Sequence, residues 1–288
     1  MIKIPNKIRL ASIWIIGTGI LSAEPPAPDY FSPANIYRFA DFLFESGDYP
    51  RAVGEYQRYL FAFDTLPGNA DSIMFKIGLA LRREGDYGPA LDNFQRVLDD
   101  YAVSPLAGPV HIQMLRCYFG QERFPALRDH AARYDFSDKS KRPLIAASYL
   151  AQKKWSAALN ALGKPEAADS FSTRLAALAQ EGMHMPRKSG LWAGLFSAAL
   201  PGAGKLYCRR PVEGLQSFVT VALTGWQACD GFHRDGIRSI KGWIFGVLGG
   251  IFYLGNVYGS TIAADIANEE QDGRLIEKVK VTVSIYVP

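Results

Sequence analysis

The chain has 288 residues, 48% hydrophobic and 21% charged, with 32 Lys and Arg against 28 Asp and Glu. That length allows one or two domains around a substantial core, and the composition excludes general disorder. A net charge of +4 with scattered basic residues excludes a nucleic-acid groove, and three distant cysteines, Cys117, Cys208 and Cys229, exclude a disulfide scaffold or a zinc cluster.

Residues 1–23 read as a secretory signal. Lys3, Lys7 and Arg9 give a positive start, Leu10–Ile20 is apolar, and Leu21-Ser22-Ala23 offers small residues for cleavage. The apolar run is shorter than the roughly 20 residues of a bilayer span; the alternative is an uncleaved anchor. No Cys stands at the cleavage point, which argues against a lipid anchor. Residues 24–33, with Pro25, Pro26, Pro28 and Pro33, form an extended linker.

Two stretches of the middle region match each other. Asn35–Leu60 and Ile73–Leu98 both hold Gly-Asp-Tyr (Gly47-Asp48-Tyr49 and Gly85-Asp86-Tyr87). In each, Ala follows three residues after the Tyr (Ala52, Ala90), then an aromatic (Tyr56, Phe94), and a small residue precedes the Gly by seven (Ala40, Gly78). Each block predicts two amphipathic helices around a tight turn, with small residues where the helices approach. Weaker copies fall at Val110–Tyr134, with Glu122-Arg123-Phe124-Pro125-Ala126 at the turn, and at Pro143–Leu162, with Lys154-Trp155-Ser156-Ala157-Ala158. Asp169–Glu181 predicts a closing helix.

The pattern resembles the tetratricopeptide repeat. The offset here is 38 residues rather than about 34, the surplus falling in the loop from Thr65. The resemblance implies an α-solenoid of about four helix pairs over 34–182, with a groove that takes a protein or peptide partner. First helices line that groove in the family, which makes Tyr37, Arg38, Asp41, Phe75, Lys76 and Arg82 its candidate lining. The alternative is an array that only spaces two parts of the chain.

From Ser189 the composition changes. Ser189–Gly204 and Gly214–Cys229 are uncharged for 16 residues each, and Gly242–Ala264 for 23. The last is long enough to span a bilayer; the first, broken at Pro201-Gly202, is a candidate re-entrant piece. Residues 183–268 therefore predict a Gly-rich helical membrane domain of two to three segments. Gly242, Gly246 and Gly250 recur every four residues as a helix-packing stripe, and Trp192, Trp226, Trp243, Tyr253 and Tyr258 supply interface anchors. Pro201, Gly202, Gly204, Tyr207 and Gly214 resemble the Pro-Gly-x-Gly-x-x-Tyr turn of a small, uncharacterised bacterial membrane domain, with Lys205 where a polar residue is common. Two topologies remain open: a crossing first segment places Lys205, Arg209 and Arg210 in the cytoplasm, whereas a re-entrant one places Arg234, Arg238 and Lys241 there. In the tail, residues 269–288, Val279, Val281, Val283, Ile285 and Val287 alternate with polar residues, predicting a single strand at 278–287 that pairs with a partner's edge; the alternative is a floppy tail packed against a groove.

No catalytic, cofactor or metal site is expected. Ala203-Gly204-Lys205-Leu206 lacks the leading Gly and the hydroxyl of a phosphate loop. His111, His130, His184 and His233 read as isolated, and Asp41, Glu45, Asp48 and Asp86 as solvated faces and turn caps. The expected whole is an all-α, non-enzymatic scaffold of the bacterial envelope, held in the inner membrane with its repeats in the periplasm. It would need no cofactor and would contact partner proteins and lipid but no nucleic acid. The alternative is a regulatory cap on a small channel- or transporter-like unit.

Overall fold

The computed structural model describes residues 31–62, 68–163 and 169–286. The leader, most of the Pro-rich linker and part of the Thr65 loop lie outside these. Four helix pairs run α1 (Pro33–Glu45) with α2 (Tyr49–Ala62), α3 (Ala70–Glu84) with α4 (Tyr87–Asp100), α5 (Ala107–Gly120) with α6 (Phe124–Arg133), and α7 (Asp138–Ala151) with α8 (Trp155–Leu162); α9 (Ser170–His184) follows.

The pairs form for the reasons visible in the sequence. In α1, Ile36, Ala40 and Leu43 fall on one face and are buried. At Gly85 the backbone turns left-handed (φ +95), and the Asp86 N–H reaches Leu81 O at 2.9 Å, closing a turn that residues with a Cβ adopt at a cost. A Cβ on Gly78 would lie 2.5 Å from the Phe94 ring. The small residue and the aromatic are thus two halves of one contact. Three apolar clusters run along the solenoid, centred on Tyr56 and Ile77, on Phe94 and Val110, and on Leu127, Leu144 and Leu175.

Beyond α9, a short helix α10 (Gly190–Ala199) and a shorter α11 (Ala203–Tyr207) precede α12 (Pro211–Asp235), a 3-10 turn at Gly236–Arg238, and α13 (Ile240–Tyr286). Among the described residues no strand occurs, and the tail corrects the sequence reading: 278–286 is helix, continuous with the apolar segment before it. The odd-numbered valines that suggested a strand also stand four apart. Leu275, Val279 and Val283 make a helical stripe buried in the cluster of α7 and α9. With no second strand to pair its backbone, the segment satisfies its hydrogen bonds internally.

Candidate functional site

The groove residues of the first two pairs come together. Tyr37 and Asp41 project from α1, one turn apart, and Lys76 reaches them from α3. Its ammonium donates to Tyr37 Oη and Asp41 Oδ1, both at 2.6 Å, and lies 4.6 Å from the Tyr37 ring centroid. The buried Tyr56 of α2 donates its hydroxyl to the same carboxylate. Burial and Asp41 hold the Tyr56 phenol above its ordinary range, so it remains a donor. Burial pulls Lys76 down, but its bonds to Asp41 and Tyr37 prevail and raise its pKa. Asp41 is therefore the centre of a network and not a solvated acid. The arrangement offers no nucleophile with a base; it is a polar surface stitched between two repeats.

The other candidates diverge. Arg38 is exposed. Phe75 tilts against Phe94 at 5.8 Å and packs inward. Arg82 enters a cavity of about 270 Å³ beside Tyr87, Arg116 and the end of α13, and its Nε and Nη2 are buried without a hydrogen-bond partner among the described residues.

The carboxyl end of the chain packs on the last repeats. The last turns of α13 lie on α7 and α9, with Tyr286 stacked on Phe171 at 5.4 Å. Lys280 donates to Glu122 and Lys278 to Glu181, each at 2.7 Å. At the base of this contact, Asn268 accepts from the Lys188 N–H (2.8 Å) and donates to Lys188 O (2.9 Å). The neighbouring Asp272, 5% exposed, pairs with Arg187 at 2.8 Å and Lys153 at 3.2 Å. The Arg187 contact is an ion pair without a well-aligned hydrogen bond. Burial pulls the Asp272 carboxyl up, yet the two cations outweigh it and hold it below the usual carboxylate range.

The glycine turn is built around Asn256. α10 runs along α13 from Thr261, beside Gly190, to Tyr253, which donates to Ala198 O at 2.7 Å. The chain then reverses at Pro201-Gly202, and α11 returns until the Lys205 side chain lies beside Gly259. Two short helices end inside an apolar region and leave backbone groups that need partners. Asn256 supplies them, accepting from Gly202 N at 3.1 Å and donating to Ser197 O at 3.3 Å. Ser260 donates to Asn256 O at 2.8 Å, so Ser197 Oγ donates to Ser260 and accepts from Gly204 N (2.9 Å). Gly202 is left-handed (φ +86), and a Cβ there would collide with Gly214 O; one on Gly204 would collide with Ala193 O. Tyr207 accepts from Ser189 N at 3.3 Å, tying the turn to the start of α10. The turn doubles back, so that Gly190, beside Thr261, and Lys205, beside Gly259, lie at the same level of α13.

The stripe on α13 is corrected at one member. Gly242 and Gly246 face Phe232 of α12, but Gly250 has open space, and Gly249 instead meets Thr224 Oγ1 at 3.3 Å. The partner of the stripe is within the chain. Only 11% of the most apolar stretch of α13 is buried, so this helix, long and apolar enough to cross a membrane, turns its side chains outward. Leu195, Leu215, Trp226, Ile244, Val247 and Leu254 are all exposed.

A tetratricopeptide repeat family model matches residues 72–102, from the first turn of α3 through the end of α4. The solenoid is tetratricopeptide-like. Repeats of this kind generally bind proteins, and among the described residues no group of His, Cys, Asp and Glu can hold a metal. No curated protein and no solved structure matches the chain.

Several residues escaped the sequence reading. His111 and His130, read there as isolated, are buried and joined Nδ1 to Nε2 at 3.0 Å among Tyr118, Tyr134 and Phe136. Asp86 caps α4 without a side-chain bond, whereas Asp48 accepts from Arg51 N at 3.4 Å. Asn256 carried a signal: it is the lone amide in a 23-residue apolar run.

Proposed function

We propose that this chain is a membrane-tethered adaptor whose repeat groove receives a segment of another protein. The observation that carries the reading is α13, a single 47-residue helix whose first half is apolar and outward-facing while its last turns are gripped by the solenoid. Because α7 and α9 are already covered, the partner surface is the part of the groove near α1 and α3, around Tyr37, Asp41, Lys76 and the exposed Arg38. The Gly-rich hairpin α12–α13 crosses the bilayer twice, with α10–α11 dipping in from the repeat side. Trp192 and Tyr258 mark one interface, Trp226 and Trp243 the other.

We place the repeats in the periplasm of a bacterial envelope. The loop charges pull the other way, since Arg187, Lys188, Lys205, Arg209 and Arg210 on the repeat side outnumber Arg234, Arg238 and Lys241 in the α12–α13 turn. The charged, apolar amino-terminal leader decides the orientation, since the first inserted segment usually dominates. Val103, 99% exposed, is a suitable reporter. In a Cys229→Ser background, Val103→Cys should react with an impermeant maleimide once the outer membrane alone is permeabilised, and the protein should resist alkaline carbonate extraction. Reaction only after the inner membrane is broken would reverse the orientation; release by carbonate would remove the tether.

A further inference from the structure

Between α11, α12 and α13 lies an open cleft of about 480 Å³. Along the antiparallel helix α13 it spans Ile251 to Asn256, and Lys205 at its rim lies beside Gly259. At a rise of about 1.5 Å per residue, Gly259 stands about 24 Å from Trp243. On the membrane reading above, on which this inference rests, the rim is at the headgroup level of the repeat-side leaflet.

The rim carries both signs of charge. Lys205 donates to Ser217 Oγ at 2.9 Å and forms no ion pair among the described residues. An ammonium near hydrocarbon with one hydroxyl for company still has donors to satisfy. Glu213, on the same cleft, pairs with Arg210 through Oε1 at 3.0 Å, leaving Oε2 with no hydrogen bond among the described residues. Gln216 and Thr220 line the wall between, and below them the lining turns apolar at Val221, Ile251 and Phe252. Ile251 and Phe252 are 59% and 44% exposed, so the cleft opens sideways toward lipid.

We propose that this cleft is a binding site for a phospholipid whose headgroup carries a phosphate and a primary amine. The phosphate meets Lys205 and Ser217, the amine meets Glu213 Oε2, and one acyl chain descends along Val221, Ile251 and Phe252. A quaternary amine has no N–H to give Glu213, and a glycerol headgroup has no cation; the pair of charges therefore selects phosphatidylethanolamine over phosphatidylcholine and phosphatidylglycerol.

The test uses the full chain, purified in detergent and delipidated, with each lipid titrated as mixed micelles and bound lipid counted by native mass spectrometry. Wild type should hold one phosphatidylethanolamine about tenfold more tightly than either competitor, the worth of one charge-assisted hydrogen bond. Lys205→Gln should lose binding of all three, Lys205→Arg should retain it, and Glu213→Gln should still bind lipid but lose the preference for phosphatidylethanolamine over both competitors. Soluble phosphoethanolamine should not compete. Equal affinity for the three lipids, unchanged binding in Lys205→Gln, a surviving preference in Glu213→Gln, or competition by the soluble headgroup overturns the proposal. A failure of the membrane reading is distinguishable: the chain would then stay out of vesicles of every composition.

Discussion

The His111–His130 pair shows what a single buried contact does to pH dependence. Burial, then the neighbouring His111, presses the His130 pKa down to about 4, and burial lowers His111 as well. The unfolded chain titrates near pH 6.5 and so binds more protons than the folded one between about 6.5 and 4. Stability is therefore full above that window and lost as pH falls through it, by on the order of 2–3 kcal/mol. Thermal unfolding followed by circular dichroism should show the repeat transition dropping across this range. In His130→Gln, the dependence should flatten; a slope equal to wild type would place the effect elsewhere. None of this was legible in the sequence, because 19 positions separate the two rings and only the crossing of α5 and α6 brings them together. Asp41 was misread for the same reason: its partners Lys76 and Tyr56 come from other helices.

Elements were easier to read than contacts. Gly-Asp-Tyr turns and their small and aromatic companions foretold both helices of the first two pairs, since those residues satisfy local geometry. Register on a long helix is harder. An every-four reading of α13 selected Gly250, yet a real helix turns in 3.6 residues and carries the packing stripe round to Gly249. Gly249→Leu should then collide with Thr224 and lower stability by about 1–3 kcal/mol, whereas Gly250→Leu should be nearly silent. Chemical unfolding in detergent measures both; equal losses would mean the α12–α13 interface is packed differently. The strand expected at the tail failed on the same ambiguity of periods, because residues at i and i+4 satisfy a spacing of two as well as a helical face.

At the scale of the whole molecule, α13 joins the two halves. Leu275, Val279 and Val283 are core residues of the solenoid although they follow an apolar, outward-facing segment. Leu275→Asp with Val279→Asp should unseat the terminal turns, since a charge buried without a partner is not tolerated. The expected outcome is a lower midpoint for the repeat module and rapid trypsin cleavage at Lys278 and Lys280, with bilayer association intact. Protection of both sites at wild-type rates would show that these turns do not hold the module.

The unbroken run from Asn268 to Tyr286 measures roughly 30 Å at the helical rise, and both of its ends are clamped. A rod held in that way behaves as a fixed post. With the tether proposed above, whatever the repeats receive must present itself within one shallow layer beside the lipid. A target embedded in the same bilayer enters that layer by sliding sideways, while a freely diffusing one must find it from an entire volume.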